Sequence, residues 1–276
     1  MSDTPDFLAR IVEQKRRRLA RAMSAQSLAD LRAEAANVRR AAKPHALRAA
    51  LERETGCNII AEIKRASPSQ GDIRRGISPA ALAREYETGG AAAISILTEE
   101  DHFRGSLEDL REVRAAVSLP LLRKDFIVDE WQIYEAAAAG ADALLLIVAA
   151  LDDATLLRLR CLAEDELEMD ALVEVHTADE LQRAASGAAQ LIGVNNRNLH
   201  TFAVSLDTSV ELIGQAPPGA LLVSESGLRT HADLQRLRTL GYKGFLIGET
   251  LMRAESPREA LRTLLGVNER DEKSEP

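Results

Sequence analysis

The chain has 276 residues, near the ~250 typical of one (β/α)8 barrel and enough to bury a large core. Its 46% apolar and 28% charged residues are an ordinary globular composition, and the net charge of −8 leaves no broad positive field for DNA or RNA. Aromatics at 3% argue against base-stacking platforms, and the longest apolar run, Ala143 to Leu151, is too short to span a bilayer.

Thr4-Pro5 reads as a helix cap followed by proline at the first helical position, and Phe7, Leu8, Ile11 and Val12 form an apolar stripe. The basic run Lys15-Arg16-Arg17-Arg18 is diluted by Asp3, Asp6 and Glu13, so it does not make a transit peptide. Ser27 to Ala36 predicts a second helix, and Pro44 opens a short third. Cys57 and Cys161 lack a second ligand at metal spacing and read as two reduced thiols, a disulfide being the other reading. The expected location is cytoplasmic.

From Asn58 onward, short apolar runs alternate with capped helical segments. The runs are 58–63, 92–97, 119–124, 143–148, 171–175, 191–195, 221–225 and 244–248. Continuous rather than alternating apolar runs suit parallel strands covered on both faces. Thr177 to Glu180 and Ser256 to Glu259 read as capping boxes. Ser106, Asp129, Asp152 and Thr230 sit at cap positions, and Gly89-Gly90, Gly140, Gly187 and Gly241 mark helix ends. Eight strands, each separated by one helix, predict an α/β fold: a (β/α)8 TIM barrel with an N-terminal helical extension. A doubly wound open sheet is the alternative, and the strand count favours closure. One domain is expected over residues 1–268, including the N-terminal helices in 1–52, followed by a polar, disordered tail at 269–276.

Active sites of such barrels lie at the carboxyl ends of the strands, so polar residues there carry the chemistry. Glu62 and Lys64 stand two apart in the first strand run, which alternation aims at one face. They are a structural ion pair or a catalytic one. Lys124 ends the third strand and suits a general acid, a Schiff-base amine or a phosphate anchor. Glu174 interrupts Ala171-Leu172-Val173-Glu174-Val175, where an unpaired carboxylate is costly. Asn195-Asn196-Arg197-Asn198 is either a turn or a means of holding a hydroxyl and a carboxylate. Ser224-Glu225-Ser226-Gly227 and Gly248-Glu249-Thr250 end the seventh and eighth strands, where barrels bind phosphate; the other reading of each is a tight βα turn. There 249–253 suits a short extra helix, and the Glu249 side chain is expected to point away from the anion. The five histidines form no i, i+4 pair, and Walker A, GxGxxG and GxSxG patterns are absent, so no metal is expected.

In order along the chain, Ala61-Glu62-Ile63-Lys64-Arg65-Ala66-Ser67-Pro68-Ser69, Leu122-Arg123-Lys124-Asp125-Phe126-Ile127 and Leu172-Val173-Glu174-Val175-His176 resemble the indole-3-glycerol phosphate synthases. So do Ile192-Gly193-Val194-Asn195-Asn196-Arg197-Asn198-Leu199, Ser224-Glu225-Ser226-Gly227 and the segment Phe245 to Met252. The resemblance implies conversion of 1-(2-carboxyphenylamino)-1-deoxyribulose 5-phosphate to indole-3-glycerol phosphate, with loss of CO2 and water and no cofactor. It implies Lys124 as the acid of ring closure, Glu174 as stabiliser of the cationic intermediate, and Glu62 and Lys64 as the dehydration pair. Asn195 and Arg197 would hold the substrate hydroxyl and carboxylate. Ser67, Ser226, Gly227, Gly248 and the Glu249 N–H would line the phosphate site, and Glu225 would add a polar group at the mouth. Phe126 and the N-terminal helix would pack on the anthranilate ring. The implied partner is this small substrate, with no nucleic acid or membrane, acting on a monomer or weak homodimer. A phosphoribosylanthranilate isomerase, a Schiff-base aldolase using Lys124, and a non-catalytic phosphometabolite-binding barrel are the competing readings.

Overall fold

The computed structural model describes residues 7–54, 56–67, 71–73, 76–199 and 201–267. The Thr4-Pro5 helix start, Pro68-Ser69 and the tail 269–276 lie outside the described residues.

Eight parallel strands close on themselves: β1 (Asn58–Ile63), β2 (Ala93–Leu97), β3 (Leu121–Lys124), β4 (Ala143–Ile147), β5 (Asp170–Val175), β6 (Leu191–Asn195), β7 (Leu221–Glu225) and β8 (Gly244–Ile247). Closure is made by β1 pairing with β8 on one side, Asn58 against Gly244, and with β2 on the other, Ile60 against Ala93. Each strand lies within one to two residues of its apolar run, because nearly every strand residue is buried between the barrel interior and a helix. The open-sheet alternative fails on that β1–β8 ladder.

Three helices precede the barrel: α1 (Phe7–Ala25), α2 (Leu28–Arg39) and α3 (Ala46–Leu51). The others alternate with the strands: α4 (Pro79–Gly89), α5 (Leu107–Ala116), α6 (Glu130–Ala138), α7 (Asp153–Cys161), α8 (Ala178–Ser186), α9 (Asp207–Leu212), α10 (His231–Leu240), α11 (Glu249–Met252) and α12 (Pro257–Leu265). Ser106, Asp129, Asp152 and Thr230 each accept a first-turn backbone N–H from their side chains. Two expected capping boxes are only half formed. Thr177 and Ser256 accept the N–H of Glu180 and Glu259, but the Glu180 carboxylate takes the His176 backbone N–H at 2.7 Å, and Glu259 pairs with Arg258 and Arg262. The reciprocal box forms at Thr230–Asp233 instead. Gly187 is not left-handed either; the following Ala188 takes that conformation, with φ 55°. A two-residue hairpin missed by periodicity, Ala66–Ser67 against Gly71–Asp72, follows β1.

The helical extension closes both ends of the barrel. Leu47 and Leu51 of α3 are fully buried in the interior cluster with Ile60, Leu122 and Leu172, plugging the amino-terminal end. At the other end, Phe7, Leu8 and Ile11 of α1 line the cavity in the barrel mouth. The stripe of α1 continues through Val12 to Lys15, whose ammonium is buried 2.8 Å from Asp125 and 3.1 Å from Glu100. Arg18, itself exposed, pairs with Asp101, so two members of the basic run dock α1. Cys57 is buried and Cys161 half-buried, and both are free. No helix among the described residues is long and apolar enough to cross a membrane.

Removing one partner of a buried ion pair leaves the other uncompensated, so Lys15→Met should lower unfolding stability by about 3 kcal/mol. Denaturant unfolding followed by circular dichroism checks this, with exposed Arg16→Met as the near-neutral control.

Candidate active site

Alternation along parallel strands decides which strand ends meet. Ile60, Ala93, Leu122, Leu145, Leu172, Leu191, Val223 and Leu246 point inward and form the interior cluster. Two residues further on, the same face carries Glu62, Ser95, Lys124, Ile147, Glu174, Gly193, Glu225 and Gly248. Odd-numbered strands supply the four charged members, and even-numbered strands supply small or apolar ones. Barrel interiors pack in layers of four from alternate strands, so the four charges share one layer. They form the floor of a cavity of ≈ 480 Å3.

At the centre, Lys124 Nζ donates to Glu174 Oε2 at 2.7 Å and to Glu225 Oε2 at 2.5 Å. Burial pushes this ammonium toward neutrality. Glu174, Glu225 and Glu62 outweigh it and raise the lysine above its ordinary value, so Lys124 is protonated at neutral pH. The two carboxylates differ. Burial raises Glu174, but Lys124 and His176 pull it well below the usual carboxylate range. Glu225 is raised by burial and by the neighbouring charge of Glu174 more than Lys124 lowers it, reaching about 7. Its other oxygen, Oε1, is buried without a hydrogen bond.

Glu62 and Lys64 do come together, with Nζ 2.8 Å from Oε1, although Lys64 lies one residue beyond the end of β1. Glycine at 248 serves this pair: a Cβ there would stand 2.3 Å from Glu62 Oε1 and 3.0 Å from Lys64 Nζ. Its requirement comes from the floor of the site and not from the tight turn the sequence suggested. Gly193, a functional position that strand reading passed over, does the same for Glu225, since a Cβ would lie 2.0 Å from Oε1. The signal was available, because a glycine inside an apolar strand marks a close approach.

The motif 195–198 divides by parity. Asn195 and Arg197 line the cavity, with Asn195 Oδ1 accepting from the Arg197 N–H at 3.0 Å and from Ser226 Oγ at 2.9 Å. Asn196 is turned outward and bonds Ser224 and Ser209. Ser226 and Gly227 are both left-handed, at φ 67° and 80°, and a Cβ on Gly227 would meet Val204 at 2.7 Å. Ser67, Phe126, Ser226, Gly227, Gly248 and Glu249 also line the cavity. Phe126 packs tilted on Phe103 with centroids 6.3 Å apart. The short helix after β8 is present as α11. The Glu249 side chain does not turn away: Oε1 accepts from Arg253 at 3.2 Å, and Oε2 lies 3.9 Å from Arg197. With Arg229, which also borders the cavity, these arginines give the rim a cationic character that the sequence reading missed. Among the described residues one group, Glu99-Glu100-Asp101, clusters as metal ligands do. Each is already engaged: Glu99 accepts three backbone N–H groups, Glu100 holds Lys15, and Asp101 holds Arg18.

Comparison with known proteins bears on this closed barrel and its charged cavity. A sequence model described as indole-3-glycerol phosphate synthase matches residues 8–264. The indole-3-glycerol phosphate synthase of Koribacter versatilis (strain Ellin345) is 49% identical over 261 residues, covering 94% of this chain and 98% of that protein. The one from Polaromonas sp. (strain JS666 / ATCC BAA-500) is 46% identical over 264 residues, covering 95% and 99%. The chain belongs to the indole-3-glycerol phosphate synthase family. It is thereby a carboxy-lyase of tryptophan biosynthesis. Among solved structures, 3-hexulose-6-phosphate synthase from Salmonella typhimurium matches with a TM-score of 0.63 at 12% identity, over 76% of this chain and 97% of that one. At that identity the likeness speaks for the barrel alone.

Two outcomes are expected. Gly193→Ala drives a methyl into Glu225, so it should cost about 1–3 kcal/mol and reduce synthase turnover, as denaturation and steady-state assays would register. Glu225 holds its proton to higher pH when folded than when unfolded. Its contribution to stability is therefore complete below the ordinary 4.5 and is lost as pH rises through about 7. Glu225→Gln should flatten that part of the stability–pH curve, measured by denaturation at several pH values.

Proposed function

We propose that the cavity converts 1-(2-carboxyphenylamino)-1-deoxyribulose 5-phosphate to indole-3-glycerol phosphate, CO2 and water, without a cofactor. The observation carrying this is a buried lysine ammonium held by two carboxylates at the cavity floor. Ring closure forms a bond from the carboxylate-bearing aryl carbon to the ketose carbonyl carbon, and negative charge develops on the carbonyl oxygen. Lys124, kept protonated, gives that oxygen its proton. Glu174, kept ionised, faces the cation that results. Departure of CO2 from the same ring carbon returns its bonding pair to the ring. Loss of the new hydroxyl as water, with loss of a ring-carbon proton, completes the indole. Glu62 and Lys64, 2.8 Å apart, serve that dehydration as its acid–base pair.

Binding follows from charge and shape. Asn195 and Arg197 hold the hydroxyl and carboxylate, with Glu225 beside Lys124 as a further polar contact. Ser67, Ser226, Gly227, Gly248 and the Glu249 N–H hold the phosphate. Phe126 with Phe7, Leu8 and Ile11 covers the anthranilate ring and excludes water from the intermediate. A Schiff-base aldolase needs a neutral amine, which the carboxylates around Lys124 oppose. One catalytic barrel over residues 1–268, working in the cytoplasm as a monomer or weak homodimer, completes the reading. The support for that oligomeric state is that the exposed large apolar residues among those described, Met23, Leu157, Val204, Leu240 and Val267, lie scattered on different segments.

Incubation of the purified protein with the substrate, followed by indole absorbance or fluorescence, tests the reaction. Lys124→Ala and Glu174→Gln should each lower turnover by about two orders of magnitude or more while circular dichroism remains that of the parent. Near-normal product from Lys124→Ala, or a borohydride-trapped adduct on Lys124, would overturn the assignment.

A further inference from the structure

Lys124 is bracketed by two carboxylates at nearly equal distance, 2.7 and 2.5 Å, yet the two are not in equivalent surroundings. Behind Glu174 stands His176, at the exit of β5, with Nε2 3.3 Å from Glu174 Oε1. At 3.3 Å the contact is an ion pair. On its far side the ring's Nδ1 lies 3.1 Å from Glu180 Oε2 on α8, and that same oxygen accepts the His176 backbone N–H at 2.7 Å. The imidazole thus lies between two carboxylates in a largely buried position. Among the described residues Glu225 pairs with no such second cation, and its Oε1 has no hydrogen bond.

We infer that His176, backed by Glu180, is a positioning residue that makes the two carboxylates on Lys124 unequal, leaving Glu174 the ionised member and Glu225 the one that exchanges a proton. The inference deepens the synthase reading and rests on it. Its physical basis is simple. Lys124 alone cannot distinguish two carboxylates at the same distance, and two anions sharing one cation in a buried site push each other toward protonation. A second fixed cation on one of them breaks the tie, and divergent environments then assign acid and base roles. The groups facing Glu174 are Lys124 from β3 and His176, with Glu225 across Lys124; those facing His176 are Glu174 and Glu180. Burial works against the imidazolium, but the two flanking carboxylates raise it to about 10, so it keeps its charge at neutral pH. The Glu180 arm is also why the capping box at Thr177 is left incomplete: the carboxylate that would close it is committed to His176.

The test has two independent readouts on the full chain. Ring titration by NMR, with the His176 signal identified by its absence in His176→Gln, should show an imidazole protonated through neutrality, and its midpoint should fall by about one unit or more in Glu180→Gln. A ring that titrates at the ordinary histidine value overturns the inference. In steady-state assays, His176→Gln should move the acid limb of kcat/KM upward by about one pH unit and so lower the rate about tenfold at pH values below that limb, with KM within about twofold. Glu180→Gln should shift the limb the same way by less, which keeps the test available where His176→Gln fails to fold. Loss of stability with an unmoved limb marks a structural role and defeats the proposal. Absence of indole formation by the parent chain defeats the synthase reading, while the ring titration still decides the placement of charge.

Discussion

The ion triplet Glu174–Lys124–Glu225 is the constraint around which the barrel mouth is organised. Lys124 and its two partners come from β3, β5 and β7, and Glu62 from β1 completes their layer. One lysine and three carboxylates taken out of water are expensive, and apolar residues of similar volume would stabilise the fold better. The layer is held instead by compensating cations placed just outside it, Lys64 on Glu62 and His176 on Glu174. Stability is given up at this one level of the interior, whereas the level beneath is packed with Ile60, Leu122, Leu172 and Val223.

Long charged side chains fit in one layer only because the intervening strands yield room. Ser95, Gly193 and Gly248 occupy three of the four even-strand positions beside the layer, and Cβ atoms at either glycine would collide with one of its carboxylates. One step higher, Asn195 and Arg197 project from the end of β6 and arginines border the rim. The division is between a floor of buried charges and a rim that carries positive charge.

The N-terminal extension is bound to the same centre. Lys15 of α1 reaches Asp125, the residue after Lys124, and Asp125 is also held by Arg123 and by Thr98 Oγ1 at 2.7 Å. Burial raises Asp125, but Lys15 and Arg123 outweigh it and keep the carboxylate ionised. The helix that lays Phe7, Leu8 and Ile11 over the cavity is therefore anchored to the strand that carries Lys124. Lid and floor share one network of buried charge, so displacement of either disturbs the other.

Much of this was legible in the sequence. Parallel strands buried on both faces appear as continuous apolar runs, and side-chain caps mark helix starts, so eight strands and their order needed no coordinates. A charged residue ending such a run has few reasons to be there, and Glu62, Lys124 and Glu174 of the floor layer were visible on that ground; Glu225 entered only through the resemblance, as a group at the mouth. What the tertiary structure decided was which of them meet. Closure fixes the stagger between strands, and only that stagger brings Lys124 to Glu174 and Glu225, fifty and a hundred and one positions away, rather than to Glu62. It also assigned meanings that local pattern misreads. Lys15 looks like part of a basic run and is a buried anchor. Gly248 looks like a turn residue and makes space for Glu62. Glu180 looks like half of a capping box and holds His176. In each case the partner lies on another element or turns on an orientation that spacing does not encode. Sequence periodicity determines the face a residue shares, and the closed barrel determines what stands opposite.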